Sequence, residues 1–361
     1  MAIKTFWKTV GSRGNPLIQK LNDLSERFML CASIAPPISC YIELSSVCNL
    51  QCPLCPTGLR ILGRPYKFMD WDTFKIVVDD LGVFGPSASL NMWGESLFHP
   101  HFFEMVRYAK SRGLGFLTVN TSCNIDRPDA WFKELASCGL QAVMTDVDGA
   151  DAETYSKYRK GGNFNLVIDF LRKLSSAKKQ LNSPLPQITP LVVVSRYNQD
   201  QLEEIRQMLE PFGIDGFQTR NIGVLGMPPE AETKVFADFA QTKYPAENPQ
   251  AINEQGRLSF LPQTPSPRRL ACLSLWKILH VNAEGNYVPC CKEYSNDTVL
   301  GNVFDTPPID FWFSKKLADF RRKNLDDPAS IPLCRKCYFI QSVRGISEPS
   351  LTPIKDIESL A

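Results

Sequence analysis

The chain has 361 residues, 43% hydrophobic and 22% charged, with a formal net charge of +2. That balance suits a globular protein with a full core, and so small a net charge supplies no field to draw nucleic acid or an anionic membrane. No apolar run reaches the roughly twenty residues of a membrane span, so neither is expected as a partner. Twelve cysteines are many. A disulfide framework belongs to small secreted domains without a sufficient core, whereas this chain is long enough for one. It opens Met-Ala-Ile-Lys-Thr, and its short apolar run from Phe28 to Ala35 follows Asp23 and Glu26. That run reads as a packing segment rather than a signal, and a reducing cytoplasm is the expected setting.

Residues 1–38 predict a helix from Asn15 to Met29, with Leu17, Ile18, Leu21, Leu24 and Phe28 at helical spacing, then a break at Pro36-Pro37. From Cys40, β-type runs (Cys40–Leu44, Ser89–Trp93, Gly115–Asn120, Ala142–Val147, Ile188–Val194, Gly216–Arg220) alternate with helical patterns. The helices fall at Asp72–Leu81, Pro100–Arg112, Asp129–Cys138, Asn165–Leu174 and Gln201–Met208. Repeated strand–helix units imply an α/β fold on a parallel sheet, and six of them over 39–222 suggest a partial (β/α)6 barrel. Periodicity alone equally allows an open doubly wound sheet. The proline-rich stretch 223–268 reads as a linker or bridge with one helix over 230–240. A small cysteine-rich α+β module follows over 269–344, and 345–361 forms a tail.

Chemistry concentrates in two cysteine sets. After the first strand the chain reads Cys48-Asn-Leu-Gln-Cys52-Pro-Leu-Cys55, with no further cysteine before Cys123. Three thiols on one loop can ligate three irons of a cubane cluster, leaving the fourth open to a small chelating molecule. Zinc, which takes four tetrahedral ligands, and three unrelated thiols are the alternatives. The second set is Cys272, Cys290-Cys291 and Cys334-Arg-Lys-Cys337, spaced C-x12-G-x4-C and C-x2-C. The stretch from Leu275 to Pro289 reads as a hairpin turning at Gly285. Paired zinc knuckles compete with a cluster here. His99 and His101 bracket Pro100 at a helix start, where they cap or pack. His280 lies in an apolar strand, and Glu293 and Asp297 read as solvated loop residues. None of these forms a triad or nucleophile elbow.

At the first cysteine loop the sequence resembles the radical S-adenosylmethionine (SAM) superfamily. The resemblance implies the barrel, a [4Fe–4S] cluster on Cys48, Cys52 and Cys55, and SAM chelated at the open iron. It further implies one-electron cleavage to a 5′-deoxyadenosyl radical that takes a substrate hydrogen atom. The family's aromatic residue before the third cysteine is Leu54 here. Trp93-Gly94-Glu95 resembles the family's Gly-Gly-Glu motif, with Trp93 for the first glycine. That similarity makes Gly94 and Glu95 SAM candidates, together with Asn120, Thr121 and Asp146 at later strand ends. Arg159, in the segment from Asp148 to Gly162, is the candidate for the SAM carboxylate. The second cysteine set resembles the SPASM/twitch extension, helped by Leu300–Val303, Phe311–Ser314 and Phe320-Arg321. No cysteine follows Cys337, so the shorter twitch form is expected, with one auxiliary [4Fe–4S] cluster on Cys272, Cys290, Cys334 and Cys337. Cys291 either replaces Cys290 or stays free.

The main expectation is dehydrogenation of a small polar or sugar-like substrate, with the auxiliary cluster as electron acceptor. An external donor such as flavodoxin or ferredoxin would reduce the first cluster. Three other readings stay open. An epimerase would use Cys123 or Cys291 as hydrogen donor, although both equally suit small buried packing residues. A peptide maturase often has a leader-binding domain, for which the 47 residues before Cys48 are short. A non-catalytic Fe–S electron carrier is the alternative of another class. A cobalamin-dependent methyltransferase is not expected, because no cobalamin-sized domain precedes the first loop.

Overall fold

A computed structural model describes residues 16–27, 30–221, 239, 272–335 and 337. The expected linker over 223–268, with its helix, lies outside these apart from residue 239, and so does the tail over 345–361. The first helix, α1 (Pro16–Arg27), falls within the expected range. The parallel strands then run β1 (Ser39–Ile42), β2 (Ser87–Ser89), β3 (Leu117–Thr121), β4 (Ala142–Asp146), β5 (Gln187–Val194) and β6 (Gln218–Asn221). Between them lie α2 (Trp71–Leu81), α3 (Phe102–Arg112), α4 (Asp129–Ser137), α5 (Ala152–Tyr158), α6 (Phe164–Gln180) and α7 (Leu202–Leu209). Each strand pairs in parallel with its predecessor, so the order β6-β5-β4-β3-β2-β1 advances in one direction as in a partial barrel. Buried Val, Leu, Ile and Phe on the inner helix faces and the strands form one continuous core.

Local chemistry sets the ends of these elements. Asp151 starts α5 by accepting from the Thr154 amide at 2.8 Å, and Asn163 starts α6 by accepting from Asn165 at 3.0 Å. Gly113, at φ 101°, closes α3 in the left-handed region. Two expectations shift. Strand β2 stops at Ser89 rather than continuing to Trp93, and the Trp93 and Glu95 amides donate to Glu43 Oε1 and Val47 O instead of a ladder. The stretch from Leu275 to Pro289 begins as helix α8 (Leu273–Lys277) before the hairpin β7 (Ile278–Val281) and β8 (Asn286–Val288). The turn at Gly285 is present, at φ 78°.

The cysteine-rich part shares the barrel's sheet. Strand β7 pairs in parallel with β1, residue for residue from Ser39–Ile278 to Ile42–Val281. Strands β8 and β9 (Gly301–Asn302) continue antiparallel beyond it. Helices α9 (Pro308–Trp312), α10 (Lys315–Asp326) and α11 (Pro332–Arg335) complete this end. The stretch after α1 is tied into it. The Trp312 indole donates to Ala35 O at 2.7 Å and the Trp276 indole to Leu30 O at 2.9 Å. Arg321 lies buried between the two indoles and donates to Leu275 O, Cys31 O and Ser33 Oγ at 2.8, 3.0 and 2.6 Å. Lys277 pairs with Asp23 and Glu26, each at 2.7 Å. No helix among the described residues is long and apolar enough to cross a membrane.

His280 is a core residue, as its apolar run implies. It stacks on its β1 neighbour Tyr41 at 5.1 Å, and neither ring nitrogen has a hydrogen-bond partner among the described residues. Burial lowers its pKa from 6.5 to about 3. The unfolded chain therefore takes up a proton between these values and the folded chain does not. Stability is complete above pH 6.5 and falls as pH drops, by about 2 kcal/mol at pH 5. In melts at pH 7.5 and pH 5, His280→Phe should remove that share of the acid sensitivity. An unchanged pH dependence would show that His280 does not titrate on unfolding.

Candidate active site

The loop after β1 carries the first three cysteines, and contacts from other strand ends hold it. The Gln51 amide donates to Lys160 O at 2.8 Å and Asn49 Nδ2 to Asn124 O at 3.0 Å. Asn124 in turn donates to the Tyr155 hydroxyl at 2.5 Å and accepts from the Asn163 amide at 2.5 Å. Within the loop, the Leu50 amide donates to Cys48 Sγ at 3.4 Å. Gly58 runs against it so closely that a Cβ there would lie 2.5 Å from Cys52 N. Cys52 and Leu54 are buried, while Cys48 and Cys55 are half-buried. Burial pushes the Cys48 thiol to about 11 and Cys52 to about 12, with Arg159 drawing both downward. Burial thus favours the protonated thiol at Cys48 and Cys52 in the metal-free chain.

Gly94 and Glu95 pack directly beside this loop. A Cβ on Gly94 would meet Ser45 O at 2.2 Å, so only glycine lets the two backbones approach. The Glu95 amide donates to Val47 O at 2.8 Å. Its buried carboxylate accepts from Thr121 Oγ1, Ser122 N, Ser122 Oγ and Leu97 N at 3.0, 2.9, 3.0 and 3.3 Å. Burial lifts its pKa to about 7 against those four bonds. Glu95 therefore holds the end of β3 in place.

Arg159 is not a surface ion pair. It is 9% exposed, lies 3.1 Å from Asp146 Oδ2, donates through Nε to Asp148, and brings Nη1 to 4.0 Å from Cys52 Sγ. Burial works against its charge, yet Asp146 and Asp148 together hold its pKa well above the ordinary value. Asp146 itself is raised by burial despite that guanidinium, and it accepts from Asn120 Nδ2 at 3.1 Å. Asp148, not singled out in the sequence, also accepts from the Val193 amide of β5 at 2.6 Å. Gly94, Glu95, Asn120, Thr121, Asp146 and Arg159 thus gather around the cysteine loop. Cys123 stands at the same strand end in the left-handed region (φ 58°), fully buried, with its thiol 3.8 Å from Thr121 O.

The second cysteine set also converges. Burial raises the pKa of Cys290, and Cys291, Cys272 and Cys337 raise it further by proximity. Cys272 is raised to about 11 by burial and Cys337, and Cys334 to about 12 by burial and Cys272. Lys292 Nζ lies 3.4 Å from Cys337 Sγ, and Asn324 Nδ2 lies 3.3 Å from Cys334 Sγ. Burial raises the pKa of Cys291, with Lys292 and Arg220 working against it. Among the described residues no three His, Cys, Asp or Glu side chains crowd onto one metal-ion site. A cubane differs from a single metal ion in giving each thiolate its own iron. Glu293 corrects its reading as a solvated residue. It is 3% exposed and folds the loop after Cys291 by accepting from the Ser295 and Thr298 amides at 2.9 and 3.1 Å. His99 packs, its Nε2 donating to Met69 O at 2.9 Å while its Nδ1 accepts from the His101 amide at 3.1 Å.

Two substitutions test this construction. Arg159→Met leaves Asp146 and Asp148 buried without their cation, which should destabilise the metal-free chain by about 3–5 kcal/mol in denaturant titration. An unchanged midpoint would mean the pair is solvated. Gly94→Ala should push the loop off Ser45 and abolish SAM binding by calorimetry, whereas wild-type affinity would show the backbones can part without cost.

Comparison with known proteins agrees with this geometry. Residues 42–209 match the radical SAM superfamily, and residues 272–338 match the SPASM iron–sulfur cluster-binding domain. The chain is 27% identical over 305 residues to the tungsten-containing aldehyde ferredoxin oxidoreductase cofactor-modifying protein of Pyrococcus furiosus, covering 78% of this chain and 82% of that protein. It is 23% identical over 295 residues to the PqqA peptide cyclase of Rhodopseudomonas palustris, covering 80% and 74%. In fold it resembles Streptococcus suis SuiB bound to its precursor peptide SuiA, with a TM-score of 0.58 and 14% identity over 82% of this chain and 68% of that one. Residues 42–209 are thus a radical SAM domain and residues 272–338 a SPASM domain, and the cofactors of this enzyme are SAM, a [4Fe–4S] cluster and auxiliary iron–sulfur clusters.

Proposed function

We propose that this enzyme modifies a peptide. The observation that carries the reading is the similarity to a PqqA peptide cyclase across 80% of the chain. It favours a peptide over the small sugar-like substrate expected from the sequence.

In this reading Cys48, Cys52 and Cys55 hold the SAM-binding cluster, which an external ferredoxin or flavodoxin reduces. When bound and reduced, cluster and SAM together supply the carbon radical that removes a substrate hydrogen atom. The protein's own side chains do the rest. Gly94 leaves room for the cofactor loop, and Glu95 fixes Thr121 and Ser122. Asn120, Asp146 and Arg159 line the same face. Arg159 brings positive charge toward Cys52 while its paired carboxylates keep it in place. Arg220, exposed at the end of β6, lies near enough to act on the protonation of both Asp146 and Cys291. We assign it to hold a carbonyl or carboxylate of the peptide.

In this reading Cys272, Cys290, Cys334 and Cys337 hold one auxiliary cluster: Cys290 feels both Cys272 and Cys337, whereas Cys291 feels Lys292 and Arg220 before Cys337. Anaerobic reconstitution should then give roughly eight irons per chain. Cys290→Ser should lose about four of them, and Cys291→Ser should lose none. The reverse pattern would exchange the two residues, and zinc retained at this site would remove the auxiliary cluster.

The substrate is tested by supplying the reduced enzyme and SAM with synthetic peptides encoded beside its gene, in parallel with a panel of free aminocyclitols. A peptide of altered mass, formed in step with 5′-deoxyadenosine and with a raised KM in Arg220→Gln, supports the reading. Turnover of a free cyclitol with every peptide left unchanged would overturn it.

A further inference from the structure

Trp93 departs from the glycine that the Gly-Gly-Glu motif has at this place, and cofactor binding leaves its side chain unexplained. In the structure its indole reaches across to the other cysteine region. Trp93 Nε1 donates to Glu293 O at 3.0 Å, and its ring meets Tyr294 edge-on at 5.8 Å. The same residue is bound on the barrel side. Its amide donates to Glu43 Oε1 at 3.2 Å, and its carbonyl accepts from the Thr57 hydroxyl. Glu43, fully buried at the end of β1, also pairs with Arg64 Nη2 at 2.7 Å and accepts from the Ala283 amide of the β7–β8 turn at 2.9 Å. Arg64 closes the ring by donating through Nε to Tyr294 O at 2.7 Å.

Three backbone segments therefore meet here: the cysteine loop through Arg64 and Thr57, the Gly94–Glu95 loop through Trp93, and the loop after Cys290-Cys291 through Glu293 and Tyr294. Glycine in place of Trp93 would supply neither the indole donor nor the ring. Every bond to Glu293 and Tyr294 in this group goes to a backbone carbonyl. The loop is thus held by its main chain, only three residues from Cys290, with Glu293 N also donating to Cys290 O at 3.1 Å.

We propose that Trp93 is a positioning residue which, with the Glu43–Arg64 pair, fixes the loop bearing Cys290 and Cys291 against the SAM-binding loop and so sets the separation of the two iron–sulfur sites. This role is independent of which substrate the enzyme takes. It concerns the spacing of the two cysteine regions, which the bonds of Trp93, Arg64 and Glu43 span.

The test uses reconstituted wild type, Trp93→Phe and Trp93→Gly, read by hydrogen–deuterium exchange and by electron paramagnetic resonance of the reduced clusters. Trp93→Gly should speed exchange at residues 293–298 roughly tenfold, the loss of about one hydrogen bond with its ring contact. Exchange in β3 and β4 should not change. The spin–spin broadening between the clusters should also weaken. Trp93→Phe keeps the ring and should fall between the other two. SAM affinity should stay within about twofold of wild type in Trp93→Phe. Unchanged exchange and spectra in Trp93→Gly would overturn the proposal, as would faster exchange spread evenly over the sheet. A wild type that binds only one cluster would instead refute the auxiliary-cluster assignment, and the exchange result would still decide whether Trp93 holds the loop.

Discussion

The buried carboxylate of Glu43 is the constraint on which the arrangement of this molecule depends. It sits at the end of β1, a strand paired in parallel on both edges, with β2 on one side and β7 on the other. A charge with no exposed surface must be matched by cations and amides or it destabilises the fold. Glu43 finds them in Arg64, Trp93 and Ala283, which belong to three segments far apart in sequence. Satisfying one side chain thereby brings the first cysteine loop, the Gly94–Glu95 loop and the second cysteine region to a common edge.

A second layer of buried polar groups acts in the same way on the later strands. Glu95 closes on Thr121 and Ser122 at the end of β3. Asp148 joins Arg159 to β5 through the Val193 amide. Asn124 links the cysteine loop to Tyr155 and Asn163. Such networks rigidify a site when every member is satisfied, and they hold its polar groups in place before any cofactor arrives. Arg159 faces two carboxylates, Asp146 and Asp148, so its positive charge is more than matched and this part of the site presents no net cationic field. The N-terminal stretch contributes from outside. It lies under Trp276, Trp312 and Arg321 and steadies the far side of the cysteine-rich region.

Much of this was legible in the sequence, for physical reasons. The spacing of Cys48, Cys52 and Cys55 points to the family that the comparison matches, because three thiols on one loop form a local pattern. Strand–helix alternation reports a parallel sheet because each element carries its own periodicity. Long-range pairing leaves no such local mark. Glu43 reads as one acidic residue in an apolar run, and Arg64 as one cation in a loop. Glu293 looks solvated until Ser295 and Thr298 are seen to fold back on it. The apolar residues Leu90, Met92 and Trp93 extend the strand pattern beyond the end of β2 at Ser89, yet their backbone belongs to the site. Gly58 carries no motif at all, although its closeness to Cys52 leaves room for no side chain.

Radical chemistry at the first cysteine loop is the centre of this account, and reductive cleavage of SAM tests it most directly. Reconstituted enzyme, reduced without any substrate, should form 5′-deoxyadenosine and methionine. The variant with Cys48, Cys52 and Cys55 all replaced by Ala should form neither while keeping its auxiliary iron. Cleavage that persists in that variant, or none in a wild type that holds both clusters, would contradict it.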